Sequence, residues 1–291
     1  MTLIFDNILA KGKQRTILFL FALLFTLTPQ VYAQSLQMDY ETILEKAHRA
    51  TSMNNLADAE NLFKQVLRSY PQDYRNSLVL GNLGRVQEMM GKDMEAMDSY
   101  TSALKLSPQS VPLLEARAAL YLRLGNLNKA VADYTTIIDR EPGNLQAHSY
   151  RAYAHLKQRN YVEAKQDYDR ALKIDPRNYA AQLGMVSLCR EEGRKSEALT
   201  RLDLLVGQYP DKAEIYSLRA ELHKADEHLE LALIDLDKAV ALEQDNTDFV
   251  LARAYLHMKL GNKFYARMDF EKAVSLGVPR SSLKEELQQV K

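Results

Sequence analysis

The sequence predicts an all-α solenoid of about seven helix-turn-helix repeats closed by a C-terminal helix, and three regularities predict it. An alanine returns once in every block of about 34 residues, at Ala59, Ala96, Ala130, Ala164, Ala198, Ala232 and Ala266. Glycine recurs five positions earlier, at Gly91, Gly125, Gly193 and Gly261. Proline closes five of the blocks, at Pro71, Pro108, Pro142, Pro176 and Pro210. Helix breakers at the middle and the end of a repeating unit describe one helical hairpin stacked on the next.

The repeats run over residues 40–279, in blocks 40–76, 77–110, 111–144, 145–178, 179–212, 213–246 and 247–280. The block from Val111 to Asn144 is the clearest copy. The position twelve residues before the alanine is also small in most blocks (Ala47, Gly84, Ala118, Ala152, Val186, Ala220, Ala254). Four residues after it stands a large side chain: Phe63, Tyr100, Tyr134, Tyr168, Leu202, Leu236 or Phe270. Small against large is what lets two helices approach closely and still fill the space between them. A larger residue at the small positions would overpack the contact at a cost of ~1–3 kcal/mol. The glycines sit where a helix end wants a positive φ, and Asn54 and Asn160 are expected to stand in for them. In the last two blocks Gln244 and Val278 replace the proline, while the alanine persists.

Spaced in this way, Ala118, Tyr121, Ala130, Tyr134 and Pro142 resemble the tetratricopeptide repeat, and the resemblance covers the chain from residue 40 to 279. It implies a right-handed superhelix of helix pairs whose first helices line a concave groove, and a binding rather than a catalytic task. It also implies that a single hairpin is marginal in water and that the stack is the stable object.

The bulk numbers fit an ordinary folded chain. Of 291 residues, 46% are hydrophobic and 26% charged, with no tryptophan. Lys plus Arg equals Asp plus Glu at 38 each, which argues against a nucleic-acid binder. The single cysteine, Cys189, has no intrachain partner for a disulfide.

Residues 1–33 have the layout of a secretory signal peptide. Lys11, Lys13 and Arg15 precede an apolar run from Ile17 to Thr28, and Ala33 offers a small residue at the cut. That run is well short of the ~20 residues a spanning helix needs, so cleavage is favoured over a retained anchor. The expected mature chain begins at Gln34, has a short lead-in over 34–39 and touches the membrane only before cleavage. It loses three bases and Asp6, leaving about two more acids than bases. The reading places it outside the cytoplasm, in the periplasm or the medium. Stability there must come from packing alone.

Arg117, Arg151, Arg219 and Arg253 occupy one offset of blocks three, four, six and seven, and Asp133, Asp167, Asp235 and Asp269 occupy another offset of the same four. That coincidence predicts an Arg to Asp bridge within each of these hairpins. At exposed sites such a pair contributes only ~0–1 kcal/mol. Downstream, residues 281–291 read as a capping helix. Ser282 and Glu285 form a candidate capping box, and Leu283, Leu287 and Val290 share one face.

No constellation for catalysis, no metal-ligand spacing and no cofactor motif is read from the chain. His155, His223 and His257 share one offset with Cys189 and Tyr121, the inter-helix position, where packing is the simpler role. Cations near the ends of the first helices (Arg123, Lys157, Arg190, Lys224 and Lys259) answer the helix dipole without a ligand. The best candidate for a partner-binding patch is Glu115, Tyr150, Tyr153 and Arg190, extended by Glu221 and Tyr255, because Tyr and Arg are favoured at interface hot spots. The expectation is an exported scaffold holding a peptide or protein segment. The alternative is a solenoid that associates with itself.

Overall fold

The computed structural model describes residues 39–291, and the leader read into residues 1–33 lies outside the described residues. Helix is the one regular element of the described residues, which divide into two compact units between Arg140 and Glu141. The first unit holds α1 (39–52), α2 (Leu56–Ser69), α3 (Asn76–Met89), α4 (Asp93–Leu106), α5 (Val111–Arg123) and α6 (Leu127–Arg140). The second holds α7 (Leu145–Lys157), α8 (Tyr161–Ile174), α9 (Tyr179–Glu191), α10 (Lys195–Gln208), α11 (Ala213–Ala225), α12 (Leu229–Leu242), α13 (Thr247–Lys259) and α14 (Lys263–Ser275). A 3₁₀ turn (Arg280–Leu283) and α15 (Lys284–Gln289) follow. Three helical hairpins therefore make up the first unit, and four hairpins with the terminal helix make up the second.

The seven recurring alanines are all shut off from water, as are the large residues four positions later. In each hairpin the small side chains let the two helices close, and the Phe, Tyr or Leu fills the remaining space at interior density. The turns within the hairpins follow one design. The second residue after the first helix takes positive φ at Asn54, Gly91, Gly125, Arg159, Gly193, Glu227 and Gly261. The next N–H then donates back to the last turn of that helix, as Asn126 does to the Tyr121 carbonyl at 2.8 Å and Asn262 to that of His257 at 2.9 Å. This is the hydrogen bonding of a Schellman end, which satisfies carbonyls the helix leaves open.

One expectation is corrected here. In the fourth repeat the left-handed residue is Arg159, with φ of 62°, and not Asn160. Asn160 instead precedes α8, its N–H donating to the His155 carbonyl at 2.9 Å. The turn requires its left-handed residue one place earlier, so Arg159 takes that conformation despite its Cβ, a strain of about 1–2 kcal/mol for a non-glycine residue.

Side-chain caps start three of the first helices in the second unit. Asn144 and Asn178 accept through Oδ1 from the N–H groups of Ala147 and Ala181, each at 2.9 Å, and Asn246 accepts from Asp248 at 3.1 Å. At the C-terminus the capping box does not form. The Ser282 hydroxyl donates to the Pro279 carbonyl at 2.7 Å, and the 3₁₀ turn makes Leu283 the residue that precedes α15. The lid still seats its apolar side: Leu283 and Val290 are buried against Val250, Phe270 and Ala273, with Leu287 beside them. Among the described residues, no helix is long and apolar enough to cross a membrane.

Candidate functional site

The four Arg and Asp pairs share one geometry. Arg117, Arg151, Arg219 and Arg253 each donate through Nε and Nη2 to the two carboxylate oxygens of Asp133, Asp167, Asp235 and Asp269, over distances of 2.6–2.9 Å. The fork spans the two helices of one hairpin, from α5 to α6, α7 to α8, α11 to α12 and α13 to α14. All four aspartates are buried, whereas the sequence reading valued the pairs as exposed ones. In this setting, losing one partner strands a charge and matters far more than at a surface. In the last two such hairpins the third arm of the fork reaches the preceding repeat. Arg219 Nη1 donates to Asp203 at 2.8 Å, and Arg253 Nη1 donates to Asp237 at 2.9 Å. Each of these arginines therefore fastens a hairpin and also the joint to its predecessor. The neighbouring aspartates raise both guanidiniums above the ordinary arginine range, Arg219 the further. In the fourth repeat His148 is buried beside the pair, its Nδ1 2.9 Å from Asp167 and its Nε2 3.1 Å from the Pro142 carbonyl.

Where the second repeat lacks the pair, another buried polar cluster occupies its place. Ser99 donates to Gln87 at 2.7 Å, and Gln87 donates to Glu60 at 3.3 Å. Lys64 and Lys92 each donate to Glu60 at 2.6 Å. The Lys64 hydrogen bond, followed by that of Lys92, holds the Glu60 carboxyl down at about 2 against an ordinary 4.5, although burial pushes the other way. A depressed carboxylate stabilises the fold fully above its unfolded value and loses that contribution as the pH falls through the folded one. Glu60→Gln is therefore expected to lower stability by ~2 kcal/mol at pH 7, after allowing for screening at the partly exposed lysines. The deficit should close between pH 4.5 and about 2, as followed by urea unfolding over a pH series.

The second unit carries a groove of about 1070 Å³ between α7 and α9, with Tyr168 of α8 in its floor. The α7 wall supplies Tyr150, Tyr153 and Lys157, and the α9 wall supplies Leu183, Gly184, Ser187 and Arg190. Tyr150 and Tyr153 are each 42% exposed, enough to offer an aromatic face to a ligand. The Lys157 ammonium lies 5.3 Å from the centre of the Tyr153 ring. Arg190 donates to Glu221 of α11 at 2.9 Å, an exposed ion pair at the rim. The floor depends on a missing side chain. A Cβ on Gly184 would stand 2.3 Å from Cε1 and Cζ of Tyr168, so only glycine lets that ring occupy this place beneath the groove. Burial drives the Tyr168 hydroxyl far above the ordinary phenol range, and it stays protonated.

Of the residues singled out from sequence, the groove gathers Tyr150, Tyr153 and Arg190. Glu221 joins through its ion pair. Glu115 belongs to α5 of the first unit and is not among the lining residues. Tyr255 lies two repeats further on, its hydroxyl donating to Glu286 of the terminal helix at 3.2 Å and its ring edge-on to Phe270. Three of the cations near helix ends have partners of their own: Arg123 with Asp93 and Glu88, Arg190 with Glu221, and Lys259 with Glu227. His257 stacks on Tyr265, and burial lowers its pKa. Cys189 is fully buried, and burial raises its thiol pKa. Among the described residues, no group of three His, Cys, Asp or Glu side chains is placed to hold a metal.

Leu183, Gly184, Ser187 and Arg159 were not foreseen as groove residues. The signal for one of them was present: Gly184 interrupts a helix at an offset where the other blocks carry Glu45, Asn82, Ala116, Tyr150, Leu218 and Ala252. An isolated glycine inside a helix usually marks a close approach.

Helical hairpins of one length, packed through the same small and large positions and carrying a groove between consecutive first helices, define an α-solenoid repeat protein. The chain belongs to the tetratricopeptide repeat family, whose profiles match residues 44–111, 115–179 and 155–222. It is 30% identical to a tetratricopeptide repeat protein from Parabacteroides merdae of known structure, over 86% of this chain and 98% of that one, with a TM-score of 0.72. More distant likenesses show the fold alone. A MamA RS-1 double mutant is 21% identical, with a TM-score of 0.50, over 59% of this chain and 96% of that one. A chain of the APC/C hetero-tetramer Cut9-Hcn1 is 12% identical, with a TM-score of 0.57, over 85% of this chain and 55% of that one. Comparison with curated proteins gives no match.

Proposed function

We propose that this chain is a non-enzymatic, exported scaffold that holds a segment of another protein in the groove between α7 and α9. Tetratricopeptide solenoids generally mediate protein–protein and peptide contacts. The observation that carries the reading here is the groove itself, whose aromatic α7 wall and pre-shaped floor stand in a single unit. Tyr150 and Tyr153 offer flat apolar surface at low entropic cost, and Arg190 stands at the rim beside Glu221. The lining holds three cations, Lys157, Arg159 and Arg190, against one acid, Glu191, so the segment it suits pairs an apolar or aromatic side chain with a carboxylate.

Affinity capture from the native envelope, with crosslinking, tests the site. Tyr153→Ala removes a wall of the groove without touching the buried core, and is expected to weaken capture at least tenfold, the loss of about 1.4 kcal/mol at a hot spot. Unchanged capture would refute the assignment. The exported location rests on the arrangement of residues 1–33. Mass spectrometry of the protein from its native cells should find Gln34 at the N-terminus; an intact Met1 would contradict export by cleavage.

A further inference from the structure

The repeats supply their own reference for what the outer surface of a second helix normally carries. Two solvent-facing positions, one residue before and two residues after the recurring alanine, hold Asp58 and Asn61, Glu95 and Asp98, Lys129 and Ala132, Glu163 and Gln166, and Glu197 and Thr200 in the first five repeats. In the last two they hold Leu231 and Ile234 on α12, and Tyr265 and Met268 on α14. Packing within the chain does not explain the change: Leu231 is 47% exposed, Ile234 64%, Tyr265 57% and Met268 55%, and the neighbouring Phe264 is 70% exposed. Phe264 meets Tyr265 edge to face, and Tyr265 stacks on His257, so the aromatic part of the patch is held in place. At ~200 Å² per side chain, these exposed fractions leave roughly 600 Å² of side-chain surface in water. Summed over the two helices, that approaches the ~800 Å² that each partner contributes to a stable interface.

We propose that this face of α12 and α14 pairs with the same face of a second copy of the chain, forming a closed two-fold dimer. The surrounding charges favour a copy of itself over an unrelated partner. At the surface α12 carries Glu230, Lys238 and Asp237, the last already held by Arg253, and α14 carries Lys263, Arg267 and Lys272 beside a Glu271 held by Arg280, so Glu230 on one side faces the bases of the other. A two-fold axis that lays α12 of one copy over α14 of the other sets acid against base twice, which is how an isologous interface becomes self-complementary. At these two offsets the apolar side chains are confined to the last two repeats, so the contact they make uses one face of each copy. The groove between α7 and α9 uses none of these residues, and the two readings stand or fall separately.

Sedimentation velocity of the full chain over a concentration series tests the dimer. Wild type is expected to pass reversibly from one chain to two. Ile234→Glu combined with Met268→Glu, both at exposed positions, should leave a single chain at every concentration with unchanged far-ultraviolet dichroism. Glu230→Lys should weaken association, and adding Arg267→Glu should restore it. A wild type that stays a single chain would overturn the proposal. So would association that persists in the Ile234→Glu, Met268→Glu variant, as it would if residues 1–38 drove it, or growth beyond two chains.

Discussion

Asp235→Ala should destabilise the second unit by about 3 kcal/mol, the low end of the loss seen when one partner of a buried pair is removed. Asp235 is 2% exposed and accepts two hydrogen bonds from Arg219. With it gone, the guanidinium keeps one hydrogen-bonded carboxylate, Asp203 of the preceding repeat, which is itself exposed. Arg219→Lys should fall in between, since an ammonium cannot serve both oxygens and Asp203 with one planar fork. Arg219→Met combined with Asp235→Leu is expected to recover most of the loss, because two apolar groups strand no charge. Urea unfolding of the four proteins measures this directly. If Asp235→Ala shifts the midpoint no more than a surface substitution does, the buried fork is not a stabilising element.

The second large effect is at Gly184. Helix propensity alone predicts that Gly184→Ala stabilises α9 by ~1 kcal/mol. The packing predicts the reverse. The new methyl would overlap the Tyr168 ring at 2.3 Å, and that ring is closed in by Ala152, Ala171, Met185 and Leu188. Overpacking of this kind costs ~1–3 kcal/mol, and an overlap this close falls at the upper end, so the net change should be a loss of up to about 2 kcal/mol. The displaced ring also has to move the groove floor, and ligand capture should fall with stability. Tyr168→Leu in the same chain is expected to relieve the overlap, since Leu202 and Leu236 fill the equivalent place in repeats five and six. A stabilised Gly184→Ala variant would show that the floor is not packed as described.

These two sites also show how much of the molecule was legible in advance. The repeat frame could be read because close packing between hairpins makes the same steric demand at Ala130 as at Ala232, and a repeated demand leaves a periodic trace. The bridge from Arg219 to Asp235 could be read for the same reason, as a coincidence of two offsets. Its burial could not, because burial is a property of the stack and not of either residue. The joint to Asp203 escaped as well, although Asp203 and Asp237 each precede their arginine by the same interval. Arg159 shows the limit of propensity. Asn160 is the better left-handed residue, yet the turn geometry imposed that conformation on its neighbour. The groove was the least legible part. Tyr150 and Tyr153 stood out by residue type, whereas Leu183 and Ser187 belong to the groove only because α9 stacks beside α7.

The central claim is that the face between α7 and α9, and not the outer surface of the same unit, holds the partner. Incorporating a photo-crosslinking amino acid at position 153 and, separately, at position 204 in the native cell tests it most directly. Tyr153 lines the groove, and Leu204 is 63% exposed on the second helix of its hairpin. A discrete adduct with another protein from position 153, absent from position 204, is the predicted result. Adducts from position 204 with none from 153 would contradict it.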